Sequence, residues 1–128
     1  GYGGGLYLYG SDATLNGNIV QGNTASTIDW GHGGGVYLYA SDNAILSSNT
    51  IISNTASTAS WGRGGGVFLS YSDATLNGNT ISGNTASGFY DRNGGGLYLL
   101  YSAPQINGNT IELPVTINNL PRTLAIVL

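Results

Sequence analysis

A triple glycine returns four times along the chain, at Gly3-Gly4-Gly5, Gly33-Gly34-Gly35, Gly64-Gly65-Gly66 and Gly94-Gly95-Gly96, in steps of 30, 31 and 30 residues. Asparagines keep the same beat at Asn18, Asn49, Asn79 and Asn109. A unit of this length cannot bury its apolar side chains alone, so successive units must stack. The one extra residue can be placed. The first three triplets each precede an aspartate by the same nine positions (Asp12, Asp42, Asp73), so the insertion falls between Asp42 and Leu46 and predicts a bulged turn there.

Apolar columns run through the repeat. Leu6, Val36, Val67 and Leu97 form one; Leu8, Leu38, Leu69 and Leu99 form a second two residues on. Period-two alternation of this kind marks a strand. Leu15, Leu46, Leu76 and Ile106, then Val20, Ile51, Ile81 and Ile111, mark two shorter strands per coil. No segment has a helical period. The expected fold is all-β, a parallel β-solenoid with coils at 1–30, 31–61 and 62–91 and a partial coil at 92–111. Residues 112–128 break the pattern and are expected to form a cap or an intersubunit strand. Like residues then pair between coils at the ~4.7–4.9 Å strand spacing. The Asn18 column and a second one, Asn23, Asn54 and Asn84, fit two bends where side-chain amides bond to one another and to the backbone.

Charge is scarce, 7% of residues with three Lys+Arg and a net charge of -3. That is too little basic surface for nucleic acid. It leaves little repulsion between copies. No apolar run reaches the ~18–20 residues of a membrane helix. Cysteine is absent, which excludes disulfides and thiolate metal sites. No cofactor is expected.

The ends suggest assembly. The first coil opens in register at Gly1 and Tyr2 without a capping segment, and an uncovered strand edge is a template for another chain. The other end carries five consecutive apolar residues, Leu124, Ala125, Ile126, Val127 and Leu128, which suit a cap or a strand donated to a neighbour.

With Leu6 and Leu8 inside, Tyr7, Tyr37, Phe68 and Tyr98 are expected to point outward as a stacked aromatic column, an interface or a sugar-stacking platform. Trp30 and Trp61 sit in the segments 27–32 and 58–63, which vary while the rest repeats and so read as loops on a binding side. Asp12, Asp42 and Asp73 read as Asx turns. Thr24, Thr55 and Thr85, with Ser26, Ser57 and Ser87 two residues on, suggest a hydroxyl-lined face. The glycine triplet reads as a sharp bend needing positive φ, or as a place where another chain comes close. The catalytic signal is thin: one histidine, His32, with Asp29, Arg63 and Asp91 in successive loops. No catalytic, cofactor or metal residue is assigned.

The stretches GGGVYL and SDATLNGNTISGNTAS resemble the right-handed parallel β-helix repeats of bacterial and archaeal surface proteins, of pectate-lyase-like architecture, including polymorphic outer-membrane proteins. The resemblance covers about residues 1–111. It implies a right-handed helix and an extracellular or cell-surface setting. Lyase members use acidic calcium ligands with a basic catalytic residue; this chain has no lysine, and its aspartate column is not that arrangement. The expectation is therefore a non-catalytic extracellular structural protein associating end to end with copies of itself. The alternative is an adhesin module binding a polysaccharide or cell-surface glycan, and after it a polysaccharide lyase or hydrolase.

Overall fold

Among the described residues, up to five short strands per coil stack into five parallel sheets. The computed structural model describes residues 1–86, 92–112 and 114–118. Asp91 and the apolar segment 124–128 lie outside them. The main sheet is Leu6–Tyr9, Val36–Tyr39, Val67–Ser70, Leu97–Leu100 and Val115–Asn118, in that order. The second is Thr14–Asn16, Ile45–Ser47, Thr75–Asn77 and Gln105–Asn107; the third is Ile19–Gln21, Thr50–Ile52, Thr80–Ser82 and Thr110–Ile111. Thr24–Ser26 pairs with Thr55–Ser57, and Gly31–His32, Gly62–Arg63 and Arg92–Asn93 form the last sheet. Register follows the repeat: Leu6 pairs with Val36, Val36 with Val67 and Val67 with Leu97.

Corners fall where the backbone turns left-handed. Gly10, Ala40, Tyr71 and Tyr101 share one such corner, with φ between 48° and 55°; Gly17, Ser48, Gly78 and Gly108 share the next. The extra residue is absorbed between Ser41 and Ala44. Asp42 and Asn43 form a turn there, and Ile45 resumes pairing with Thr14. Sheet register is untouched on either side, as the expected bulge requires.

Leu38, Leu46, Ile51, Leu69, Leu76, Ile81, Leu99 and Ile106 are fully or almost fully shielded from solvent and form one continuous core. Each such side chain contributes about 1.5–3 kcal/mol by leaving water. The asparagine ladders close the bends as expected. Asn49 Oδ1 accepts from the N–H and the amide of Asn18 at 2.9 and 3.1 Å, while its own amide donates to Asn79 Oδ1 and to the carbonyl of Leu15. The Asn23, Asn54 and Asn84 ladder repeats the arrangement.

The glycine triplet does two jobs. Gly3, Gly33, Gly64 and Gly94 supply the positive φ. At Gly34 and Gly65 a Cβ would strike the backbone of Thr55 and Thr85. The chain that comes close is thus the protein's own Thr-Ala-Ser segment.

Two expectations are corrected. The aspartates do not make Asx turns with the residues just after them. Ser11 Oγ takes the local turn N–H of Ala13, while Asp42 and Asp73 accept N–H groups from the next coil, those of Asp73 and Ala103 at 3.0 and 2.8 Å. The hydroxyl face is interrupted, because Ser57 is buried and donates to the carbonyl of Asp29. Beyond residue 111 one more strand joins the main sheet. Val115–Asn118 pairs with Leu97–Leu100, reached in 18 residues where the previous coil uses 30. The shortened coil omits the glycine triplet and the loop.

Candidate functional site

The aromatic column is where structure and expectation part. Tyr7 is 45% exposed, but Tyr37, Phe68 and Tyr98 are buried in a second cluster on the outer side of the main sheet. The expectation of a solvent-facing column is corrected for these three. Alternation did turn them away from the leucine core. The chain then folds back over them: the sharp bend at Gly33 and Gly64 brings His32 and Arg63, which are paired in register, over the rings. His32 lies 5.1 Å from the ring of Phe68 and 5.4 Å from that of Tyr2, centroid to centroid. The guanidinium carbon of Arg63 stands 5.6 Å above the ring of Tyr98, a cation–π arrangement. Arg63 Nε and His32 Nδ1 are buried with no hydrogen-bond partner among the described residues.

Burial sets the electrostatics. It pushes the Tyr37 hydroxyl up to about 12 and raises that of Tyr7. His32 is lowered to about 4, first by burial and then by the charges of Arg63 and the amino terminus. At neutral pH it is an uncharged aromatic roof over the stack.

The rings pile along the solenoid axis. Tyr7 and Tyr37 stack at 5.1 Å and 9°, Tyr37 and Phe68 at 4.8 Å and 11°. Trp30 and Trp61, both partly exposed, stack at 5.7 Å and 18°. Ring faces in such piles look along the axis at one another and present edges sideways. A sugar approaching the Tyr7, Tyr37 and Phe68 pile from the side meets edges and not the faces that stacking requires. A further ladder was only half visible in the sequence, because its register slips. Tyr9 and Tyr39 stack at 5.5 Å and 4°, Tyr71 and Tyr101 at 5.2 Å and 26°, along an outer corner. Tyr71 and Tyr101 sit one position later in the repeat than Tyr9 and Tyr39, yet the rings stay in contact, Tyr39 meeting Tyr71 edge-on at 5.9 Å.

Asp29 and His32 do come together, with Gly1, Tyr2 and Trp30, around a polar recess of about 260 Å³. Among the described residues no group of three or more metal-ligating side chains converges. Among the described residues no helix is long and apolar enough to cross a membrane. At the first coil the interior opens as an apolar pit of about 300 Å³, lined by Leu6, Leu15 and Val20 with Val36, Leu46 and Ile51 behind them.

Searches of curated proteins and of solved structures returned no match. The sequence does match the family described as the right-handed beta helix region, over residues 4–113, in agreement with the stacked parallel coils. The chain belongs to the right-handed beta helix family.

Proposed function

We propose that this chain is a non-catalytic structural element of the extracellular space or cell surface, whose coil stacks extend by adding copies of themselves end to end. The observation that carries this reading is the direction of the asparagine and serine ladders. At each junction a backbone N–H of the earlier coil donates to a side-chain oxygen of the later one: Asn18 to Asn49, Asn49 to Asn79, Asn79 to Asn109, and likewise Ser41 to Ser72 and Ser72 to Ser102. The first face of the stack therefore offers the acceptor half of such a junction. A coil set before the first would meet Asn18 and Asn23 oxygens around the apolar pit, and Ile117, 45% exposed, continues the apolar column at the other face. Low charge supports the reading.

Sedimentation across a concentration series, with electron microscopy of the same sample, tests it. Growth into fibres whose axial repeat follows the coil spacing is the expected result. Monomers at every concentration overturn it.

A second reading, a glycan-binding module, draws on the partly exposed Trp30 and Trp61 beside the polar recess. It predicts saturable binding to a polysaccharide that weakens in Trp61→Ala. Equal binding by that variant removes it.

A further inference from the structure

The outer corner carries two pairs of phenols, of which only Tyr39 packs against the buried Tyr37, Phe68 and Tyr98 cluster. Tyr9 and Tyr39 are in-register partners of the main sheet, with rings 5.5 Å apart and 4° from parallel. Tyr71 and Tyr101 stack at 5.2 Å and 26°, both at the left-handed corner with φ of 49° and 48°. Three of these four rings are well exposed: Tyr9 at 69%, Tyr71 at 50% and Tyr101 at 38%. Between the pairs the geometry changes, since Tyr39 meets Tyr71 edge-on at 72°. The composition points the same way. Nine tyrosines occur in a chain without cysteine or methionine, so the sulfur side chains that ordinarily absorb oxidising equivalents first are missing.

We propose that the outer tyrosine ladder is an oxidative cross-linking site, at which Tyr9 couples to Tyr39 and Tyr71 to Tyr101 through ring carbons. The co-reactant is a one-electron oxidant of the kind a haem peroxidase makes from hydrogen peroxide. Each phenol gives up one electron and its hydroxyl proton, and the peroxide takes two of each to become two waters. The two phenoxyl radicals join by a carbon–carbon bond between positions ortho to oxygen. Each joined carbon then releases its hydrogen as a proton, and each ring oxygen takes one up, restoring both aromatic rings and both hydroxyls. The product is two hydrogens lighter than the starting chain. Strand pairing holds Tyr9 beside Tyr39, and the shared corner holds Tyr71 beside Tyr101, so the ortho carbons start close and the rings turn edge to edge as the bond forms.

The same molecule contains its control. Tyr7 and Tyr37 stack as closely, at 5.1 Å and 9°, but Tyr37 is 6% exposed under the His32 roof and its proton is hard to lose. Phe68 follows Tyr37 in the inner pile and has no hydroxyl, which breaks the phenol series before Tyr98. Each outer link would tie two neighbouring coils, 1 to 2 and 3 to 4, and shorten the loops open to the unfolded chain.

The experiment treats the dilute folded chain with peroxidase and peroxide, isolates the monomer and maps it with trypsin. Cleavage follows Arg63, Arg92 and Arg122, so a Tyr9–Tyr39 link stays inside one peptide and a Tyr71–Tyr101 link joins two. The expected result is dityrosine fluorescence in the monomer, with both links found by mass spectrometry. Tyr9→Phe should delete only the first and Tyr71→Phe only the second, since phenylalanine keeps the stack. Absence of dityrosine from the monomer overturns the proposal. So do oxidation confined to Trp30 and Trp61, links only between molecules, or a Tyr7–Tyr37 link as abundant as the outer two.

Discussion

Glu112 gives its carboxylate to the N–H of Gly83 at 2.6 Å, in the place where Ser82 gives its main-chain carbonyl to the N–H of Ser53 one coil earlier. A side chain stands in for backbone because the shortened coil turns off toward Pro114, whose carbonyl takes the N–H of Gly96. Glu112→Ala should therefore speed hydrogen exchange at the Gly83 amide and leave the Ser53 amide unchanged. Glu112→Gln, which keeps an acceptor, should fall between. Native-state exchange read by NMR checks both.

Asn79 uses its side chain fully, as the other inner rungs Asn49 and Asn54 do. It is buried, accepts from the N–H and amide of Asn49, and donates to Leu46 and Asn109. Asn79→Ala strands several buried polar groups at about 1–3 kcal/mol each. A drop of about 3 kcal/mol or more in unfolding free energy is expected. Asn18→Ala, at the exposed first rung, should cost under about 1 kcal/mol. Denaturant melts of the two variants compare them directly.

Glycines separate into two kinds by what a Cβ would meet. At Gly62 it would run into the carbonyl of Ala86, whereas at Gly10 it meets nothing within 4 Å. The second coil already carries Ala40 at the corner equivalent to Gly10, with φ of 50°. Gly10→Ala should cost about 1–2 kcal/mol from the left-handed backbone alone. Gly62→Ala should cost at least about 3 kcal/mol, since backbone must move. Thermal denaturation ranks them.

His32 makes stability depend on pH in a defined window. Its folded value of about 4 lies below the ordinary 6.5, so the folded state holds it neutral while the unfolded chain takes a proton. Its contribution is complete above pH 6.5 and is lost as pH falls from 6.5 to about 4. His32→Phe, which preserves an aromatic roof over Phe68 and Tyr2, should flatten that part of the stability curve. Equilibrium unfolding at a series of pH values measures it.

Much of this fold is legible because its rules are local and repeated. The glycine and asparagine columns give coil length, and the nine-residue offset to Asp42 locates the inserted residue at the corner where Asn43 stands. Period-two alternation separates Leu38 from Tyr37 correctly. It does not say what lies on the tyrosine side. A strand with one face in the core ordinarily shows the other to water; here a 30-residue coil has chain to spare, and His32 and Arg63 fold back to make a second interior. Phe68 was the signal, an apolar ring without a hydroxyl at a position assigned to solvent. The outer tyrosine ladder was obscured for another reason: ring contact follows space, and the corner at Tyr71 shifts the ring by one residue and turns it, yet keeps it in contact with Tyr39. The short coil was hidden because Glu112 and Pro114 look like a break, and only pairing shows that Val115 continues the sheet.

The direction of the asparagine ladders has a consequence for symmetry. With N–H groups donating the same way at every rung, the solenoid has no two-fold axis across its length, and its two faces are chemically unlike. Two such bodies cannot meet like face to like face and keep the ladder running. A contact between unlike faces repeats without closing, by translation and rotation along one line. Whatever sets the length of such an array must therefore act at an end.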